Sequence, residues 1–579
     1  MIVVGFNWLP VDFCKAMPIE RHSAVAAVVD GELVFSSEER RYTRTPYEAD
    51  AYEIPLESFI AMFKFLKDRY GIKPGNVDAF AVNWDPSSAK YSLDSAISMD
   101  YRLHSGGVER LAKAGGEAQS GDPSLDLSRL FLAGIYRKMG TELPKDAKVY
   151  LVEHRLAHAA SAYYFSGLNS SAVVLTDPGG SNEATTVWKV RNGEFEKSLD
   201  LGKENGSITG VYGRVASGLG VQSDALMFLS SYGTRNPEMC ERVMSFVGGG
   251  AKVPYYFSKR HGEIAGEILE GVNLKWNHNG PMRKDIADVA WCAQDLAEQL
   301  MLRVASWVRE NTGERNLCFA GKTALDSKVN MRLRKSKLFS DVFVFPDADD
   351  SGCPAGAAAY AYEHMLGGKM RCKRLPSARL GPEYDGERVR KVVQRGKWKA
   401  KKVDDPSEVA QLVSKGKIVA WFEGRSEIGP RPLGGRSIIA DPTTKDSWKA
   451  INELKGRRWW RPLAPAVLYQ DMRRYFTGPM PAPFMNTMLE LNGRGASALP
   501  AVCSVDRSTE PQSVRKAENA KWYAMISAFK DIKGEGAVVN ANFNLAKEPL
   551  VETPEDAIAS FSLGGFDALY LDGWLILKK

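Results

Sequence analysis

Two histidines four residues apart, in VEHRLAHAASAYYFSG, are the first residues whose types and spacing suggest chemistry. In a helix that spacing stacks His154 and His158 on one face, where two imidazoles can grip one metal ion. Alone, the pair reads equally as ordinary surface or core histidines. Two carboxylates strengthen the metal reading. Asp177 ends a predicted strand, SAVVLTD, at a Gly-Gly turn. Asp350 lies in DADDSGCPAG, ahead of small residues that open a helix, where helix capping is the competing explanation. Two imidazoles with two carboxylates suit a divalent iron, zinc or manganese ion with one position open.

A second constellation is basic. EGRSEIGPRPLGGRSIIADP and ELKGRRWWRPLAPAV bring Arg425, Arg431, Arg436, Lys455, Arg457, Arg458 and Arg461 into a short span, among glycines and prolines. Guanidinium groups on such loops present forked donors to phosphate with little reorganisation. A solvated basic face is the plainer alternative, but these charges do not alternate with Glu at helical spacing. Farther on, VVNANFNLAKEPLVETPEDA places Asn540, Asn542 and Asn544 on alternate positions after a strand, so three amides can share one face. Turn-forming asparagines are the competing reading.

The elements that must position these residues read as α/β. Ile2 to Asn7 is an apolar, β-branched strand, and AVAAVVDGELVFSSEE is a hairpin turning at Asp30-Gly31. The pattern returns as SAVVLTD followed by a hairpin turning at Asn192-Gly193. Two related halves, each a strand and a hairpin, are the expectation of a ribonuclease-H-like, two-lobed fold. Ile286, Val289, Ala290, Ala293, Leu296 and Leu300 predict a core-facing helix over Asp285 to Glu310. NLCFAG and FVFPD are further strands, the latter feeding an alanine-rich helix. Pro86 to Pro144 reads as an insertion, and Gly367 to Asp405 as a basic, Gly- and Pro-punctuated connection. A new α/β unit follows, from a helix at Pro406 to Lys415 to the terminal strand ALYLDGWLILKK.

At 579 residues the chain needs several hydrophobic cores, and 44% hydrophobic with 25% charged residues excludes disordered and fibrous classes. No apolar run reaches the roughly 20 residues that cross a bilayer. MIVVGFNWLP lacks a basic leader, so the expected location is cytoplasmic. The seven cysteines stand singly without a CxxC pair and read as reduced, mostly buried thiols. A net charge of +7 and a pI near 8.8 favour anionic partners without specifying them.

GPRPLGGRSIIADP, RPLAPAV and NANFNLAKEPLVETPEDA resemble signatures of the NodU/CmcH-type O-carbamoyltransferases, with supporting matches in EERRYTR near Glu38, AGKTALDSKVN near Gly321 and the Asp350 loop. The resemblance covers most of the chain outside the Pro86 to Pro144 segment. It implies a TsaD-like, ribonuclease-H-like/actin-like domain over 1–370 with an insertion at about 86–144, a linker over 371–404 and a YrdC-like carbamoyl-adenylate-forming domain over 405–579. The implied activity joins the carbamoyl group of carbamoyl phosphate to AMP at the expense of ATP with Mg2+, then transfers it to a hydroxyl.

Residue by residue, the resemblance places His154, His158, Asp177 and Asp350 at metal-ligand positions, with Fe2+ favoured and Zn2+ or Mn2+ as alternatives. Lys455 and Arg457 fall at catalytic positions. Arg431, Arg436, Arg461, Asn542, Asn544 and Gly321 fall at positions binding substrate or nucleotide. His22 matches a histidine near the acceptor, a candidate general base. The chain departs from the family pattern at Lys322 and Asp326, where a second glycine and an asparagine are common, and at Ser504, where a histidine is frequent.

The family's acceptors include sugars, antibiotic scaffolds and, in phage-type relatives, hydroxymethylated cytosine in nucleic acid. The basic pI, the stretches KRLPSARL and GKWKAKK and an exposed RRWW point to 5-hydroxymethylcytosine in DNA. A sugar or antibiotic hydroxyl is the alternative acceptor. A sugar kinase or a non-catalytic ATP-binding protein is the alternative class, distinguished by its lack of need for paired histidines or AMP release.

Overall fold

The computed structural model describes residues 1–7, 23–45, 54–83, 123–177, 183–202, 206–396 and 398–578. His22, and the predicted insertion as far as residue 122, lie outside them. The first sheet has the spatial order Glu32–Glu38, Ala24–Val29, Ile2–Asn7, Ala79–Val82, Lys148–Leu151. Its first three strands are antiparallel neighbours, and Ile2–Asn7 then pairs in parallel with Ala79–Val82, itself parallel to Lys148–Leu151.

The second sheet repeats this plan. Ser170–Thr176 heads an antiparallel meander with Glu183–Arg191 and Glu194–Gly202, and on its other side runs parallel to Asn316–Ala320, itself parallel to Asp341–Val344. The duplicated, two-lobed plan expected from the sequence is therefore present. Both hairpins turn where predicted, with φ of +47° and +79° at Asp30-Gly31 and +50° and +89° at Asn192-Gly193. Positive φ at both central residues suits the twist of the flanking strands.

Two helices lie between the sheets: the histidine helix, His154–Tyr164, and the alanine helix, Cys353–Tyr360. One hydrophobic cluster joins Val3, Ala26 and Ala81 of the first sheet to Val173 and Cys318 of the second through the alanines of both helices. The helices approach to backbone contact. A side chain at Gly356 would place its Cβ 1.9 Å from the Ala157 carbonyl oxygen. On the outer face of the second sheet packs the long helix Lys284–Thr312, with Ile286, Val289, Ala290, Ala293, Leu296 and Leu300 all buried as the periodicity predicts.

The C-terminal half is built on an eight-stranded mixed sheet, ordered Lys399–Lys402, Trp574–Leu577, Ala568–Leu571, Val419–Phe422, Arg436–Ala440, Ala537–Asn542, Ala464–Leu468, Gln512–Val514. The stretch read as a linker is largely structured. Leu375, Ala378 and Leu380 are buried against the N-terminal half, and the helix Gly386–Arg395 puts Val389 and Val393 into the C-terminal core. GKWKAKK supplies an edge strand whose exposed lysines discourage pairing with another sheet. Among the described residues no helix is long and apolar enough to cross a membrane.

Candidate functional site

The strand Lys148–Leu151 delivers the chain to the start of the histidine helix, which Glu153 fixes by accepting hydrogen bonds from the backbone N–H groups of Arg155 and Leu156, both at 2.8 Å. His154 and His158 thus share one face at the helix head, with ring centroids 4.7 Å apart. Asp177 arrives from the end of Ser170–Thr176, and Asp350 from a short turn ahead of the alanine helix. The four predicted ligands converge. His158 Nε2 lies 3.3 Å from Asp177 Oδ2 and 3.2 Å from Asp350 Oδ1, and His154 Nε2 lies 3.9 and 3.4 Å from the same two oxygens.

All four side chains are buried, so their charges interact strongly. Burial alone would lower the imidazole pKa values, but Cys353 and the two aspartates outweigh it, and His154 is pushed up to about 10. Burial and the neighbouring Asp350 would raise Asp177, yet both histidines hold it low. Asp350 is held well below the usual carboxylate range by the same histidines, against its burial. Buried carboxylates this close need a cation between them. Protons on the imidazoles would supply that charge in a metal-free chain, and a divalent ion held by the same nitrogen and oxygen donors fits the set.

Supporting residues that the sequence reading missed orient this cluster. Asn83, just beyond the strand Ala79–Val82, places Nδ2 3.2 Å from His154 Nδ1, leaving Nε2 turned toward the aspartates. Asn7 donates to the Asp350 carbonyl at 2.8 Å. Both follow the pattern that identified Asp177, an apolar strand ending in a polar residue. Cys353, read as an inert thiol, also reaches the cluster, because its neighbours come from a segment two hundred residues earlier.

Gly321, at φ +83°, lets the chain after Asn316–Ala320 cross the end of Ser170–Thr176, where a Cβ would lie 2.4 Å from the Thr176 carbonyl oxygen. Asp349 is pushed up to about 6 by burial, with Lys322 opposing. Asp326 caps the helix Ser327–Lys335 by accepting from Lys328 N and Val329 N.

The basic constellation is brought together only in part. Arg431 donates to Glu510 at 2.7 Å and Arg461 to Asp224 at 2.8 Å. Lys455, after the helix Lys445–Leu454, donates to the Asn542 carbonyl at 2.6 Å, the Asn544 carbonyl at 3.2 Å and the Asn544 side-chain oxygen. Burial, then Arg457 and Arg461, push the Lys455 ammonium well below its ordinary pKa. Burial and Arg461 push Arg457 down to about 9. Like charges thus face one another, as a pocket for a polyanion requires.

Arg436 departs from its expected role. It is fully buried, stacked 3.5 Å over the Phe422 ring, faces Glu552 at 3.8 Å and donates to the carbonyls of Gly424 and Gly435. It braces the loop and does not open toward a ligand. The asparagines do likewise. Asn540 donates to the Pro432 carbonyl at 2.8 Å and Asn542 to the Pro430 carbonyl at 3.1 Å, pinning the Gly429–Gly435 loop. RRWW is divided: Trp460 is buried against Trp276, while Trp459 stays exposed, its indole N–H donating to the Gly280 carbonyl.

The loop that carries Arg431 packs against the segment leading to Asp350. Arg41, from EERRYTR, donates to the carbonyls of Glu427 and Gly429 at 2.6 and 2.7 Å. Gly429 is pressed against Pro346, with space for a Cβ only 2.3 Å from the Pro346 carbonyl oxygen, four residues before Asp350.

Two family models match the chain, Carbamoyltransferase N-terminus over residues 17–359 and Carbamoyltransferase C-terminus over residues 410–578. Nodulation protein NolNO of Sinorhizobium fredii is 28% identical over 574 residues, spanning 96% of this chain and 79% of that protein. An uncharacterized protein of Synechocystis is 27% identical over 612 residues, spanning 96% and 95%. Nodulation protein NolO of Bradyrhizobium diazoefficiens is 29% identical over 441 residues, spanning 74% and 79%.

Proposed function

Because the chain belongs to the carbamoyltransferase family, we propose that it is an ATP-dependent O-carbamoyltransferase working in two stages. Carbamoyl phosphate is a poor donor to an unactivated alcohol, so water first cleaves it to carbamate and phosphate, and a carbamate oxygen then attacks the α-phosphorus of ATP, forming carbamoyl-AMP and expelling pyrophosphate. Arg431, Arg457 and Arg461 with Lys455 offset the charge of carbamoyl phosphate and of ATP with Mg2+ during this step. In the second stage the acceptor hydroxyl attacks the carbamoyl carbon and AMP departs. The hydroxyl proton passes to a base, for which His22 is the candidate from the sequence.

His154, His158, Asp177 and Asp350 hold a divalent ion in this reading, with Fe2+ favoured and Zn2+ or Mn2+ as alternatives. When bound, it supplies Lewis-acid polarisation of the carbamoyl oxygens. The chain's own part is positioning. Glu153 sets the helix head, Asn83 turns the His154 ring, and Asn7 anchors the Asp350 turn. The observation that carries the reading is the meeting of four side chains from three separate segments at 3.2 to 3.9 Å.

For the acceptor, 5-hydroxymethylcytosine in DNA keeps the support of the +7 charge, the exposed Lys399–Lys402 strand and the exposed Trp459 but loses that of the buried Trp460. The test supplies ATP, carbamoyl phosphate and Fe2+ with hydroxymethylcytosine DNA or a panel of sugar and antibiotic alcohols. Carbamoylated nucleoside and AMP are expected. Product on a small alcohol alone would replace the DNA acceptor, and ADP in place of AMP would contradict the two-stage chemistry in favour of a kinase.

A further inference from the structure

We propose that Cys353 is a ligand of the same centre, its thiolate joining His154, His158 and Asp350 as a sulfur donor. The inference rests on the metal-centre reading above and extends it to a residue outside the predicted set. The ligand atoms of these four residues all lie within 4.8 Å of one another, and all four residues are buried. Bonds of about 2.0–2.3 Å in a tetrahedral site put ligand atoms roughly 3.6 Å apart. Closing the set around an ion therefore asks for side-chain movements of about an ångström.

The placement follows from local structure. Asp350 and Cys353 are three residues apart at the head of the alanine helix, where that spacing keeps both on one side, facing the His154 and His158 pair on the neighbouring helix. Gly356 allows the helices to meet at backbone distance, which brings the thiol to the imidazoles. A buried cysteine ordinarily packs as a small apolar group. This one is fully buried, yet it faces two imidazoles and a carboxylate. Asp177 Oδ2 stands 3.3 Å from His158 and 3.9 Å from His154, so Cys353 adds to the donor set and does not displace Asp177.

Binding converts the thiol to a metal thiolate and releases its proton to solvent, with no change in oxidation state. A sulfur donor shifts preference from Mg2+ and Mn2+ toward Zn2+, Fe2+ and Co2+.

The test loads the metal-free full chain with Co2+ and records its absorption spectrum. The expected result is a near-ultraviolet sulfur-to-cobalt charge-transfer band alongside the visible cobalt bands. In Cys353→Ala and Cys353→Ser the charge-transfer band is lost, while the visible bands and bound cobalt remain. Bound cobalt without a charge-transfer band in the unaltered protein overturns the Cys353 assignment and leaves the metal centre standing. A band that survives in Cys353→Ala overturns it in favour of another thiol. Failure to bind cobalt at all overturns both readings.

Discussion

At the histidine–aspartate centre two imidazoles face two carboxylates, whereas around Lys455 the neighbouring charges are Arg457 and Arg461, of the same sign. The first cluster sits at the heads of two helices locked between sheets. The second sits on loops pinned by carbonyls, prolines and asparagines. The difference follows from what each must accept. A centre that neutralises itself can exchange protons for a cation without exposing bare charge. A cluster of cations, offset here in part by Glu510 on Arg431 and Asp224 on Arg461, has its remaining repulsion relieved by an incoming anion.

The largest effect that sharpens this contrast is expected from Arg461→Gln. Its partner Asp224 is half-exposed, so folding should be spared, while the adenylate-forming stage slows on the order of 10^2–10^3-fold and product formation falls with it. Rates of pyrophosphate release and product formation, set beside an unchanged melting temperature, check this. Arg436→Gln should do the reverse. Removing one of the two arginines beside the buried Glu552, the other being Arg41, is expected to cost about 3 kcal/mol in chemical denaturation, far above any direct effect on phosphate affinity.

The smallest effect has the opposite sign. Burial and Arg461 push Arg457 down to about 9 from the ordinary guanidinium range, so the folded state holds its proton less tightly than the unfolded chain. The stability from this group is present above the unfolded pKa and lost as pH falls through about 9. At pH 7.5 the charged group therefore costs stability. Arg457→Gln should stabilise by about 1 kcal/mol at that pH while weakening inorganic phosphate binding, measured by calorimetry. Destabilisation by Arg457→Gln would break the contrast between the clusters.

The helix-spaced histidines, the strand ending at Asp177 and the hairpins at Asp30 and Asn192 were legible because each depends on neighbours within a few residues. Asp350 was legible for a related reason, as a carboxylate ahead of a small-residue helix. Arg436 was misread because its role is set by Glu552, more than a hundred residues away. Cys353 was passed over because no spacing within its own segment announces two imidazoles on another helix. Within RRWW the exposed Trp459 and the buried Trp460 could not be told apart, because the Trp276 ring that covers the latter comes from a distant segment.

The central claim is that one cluster charges the donor and the other delivers it. Asp350→Ala, given ATP and carbamoyl phosphate, separates the two. The expected result is pyrophosphate release near the unaltered rate with no carbamoylated acceptor formed. Loss of pyrophosphate release together with transfer, in a variant that melts normally, would contradict the division of labour.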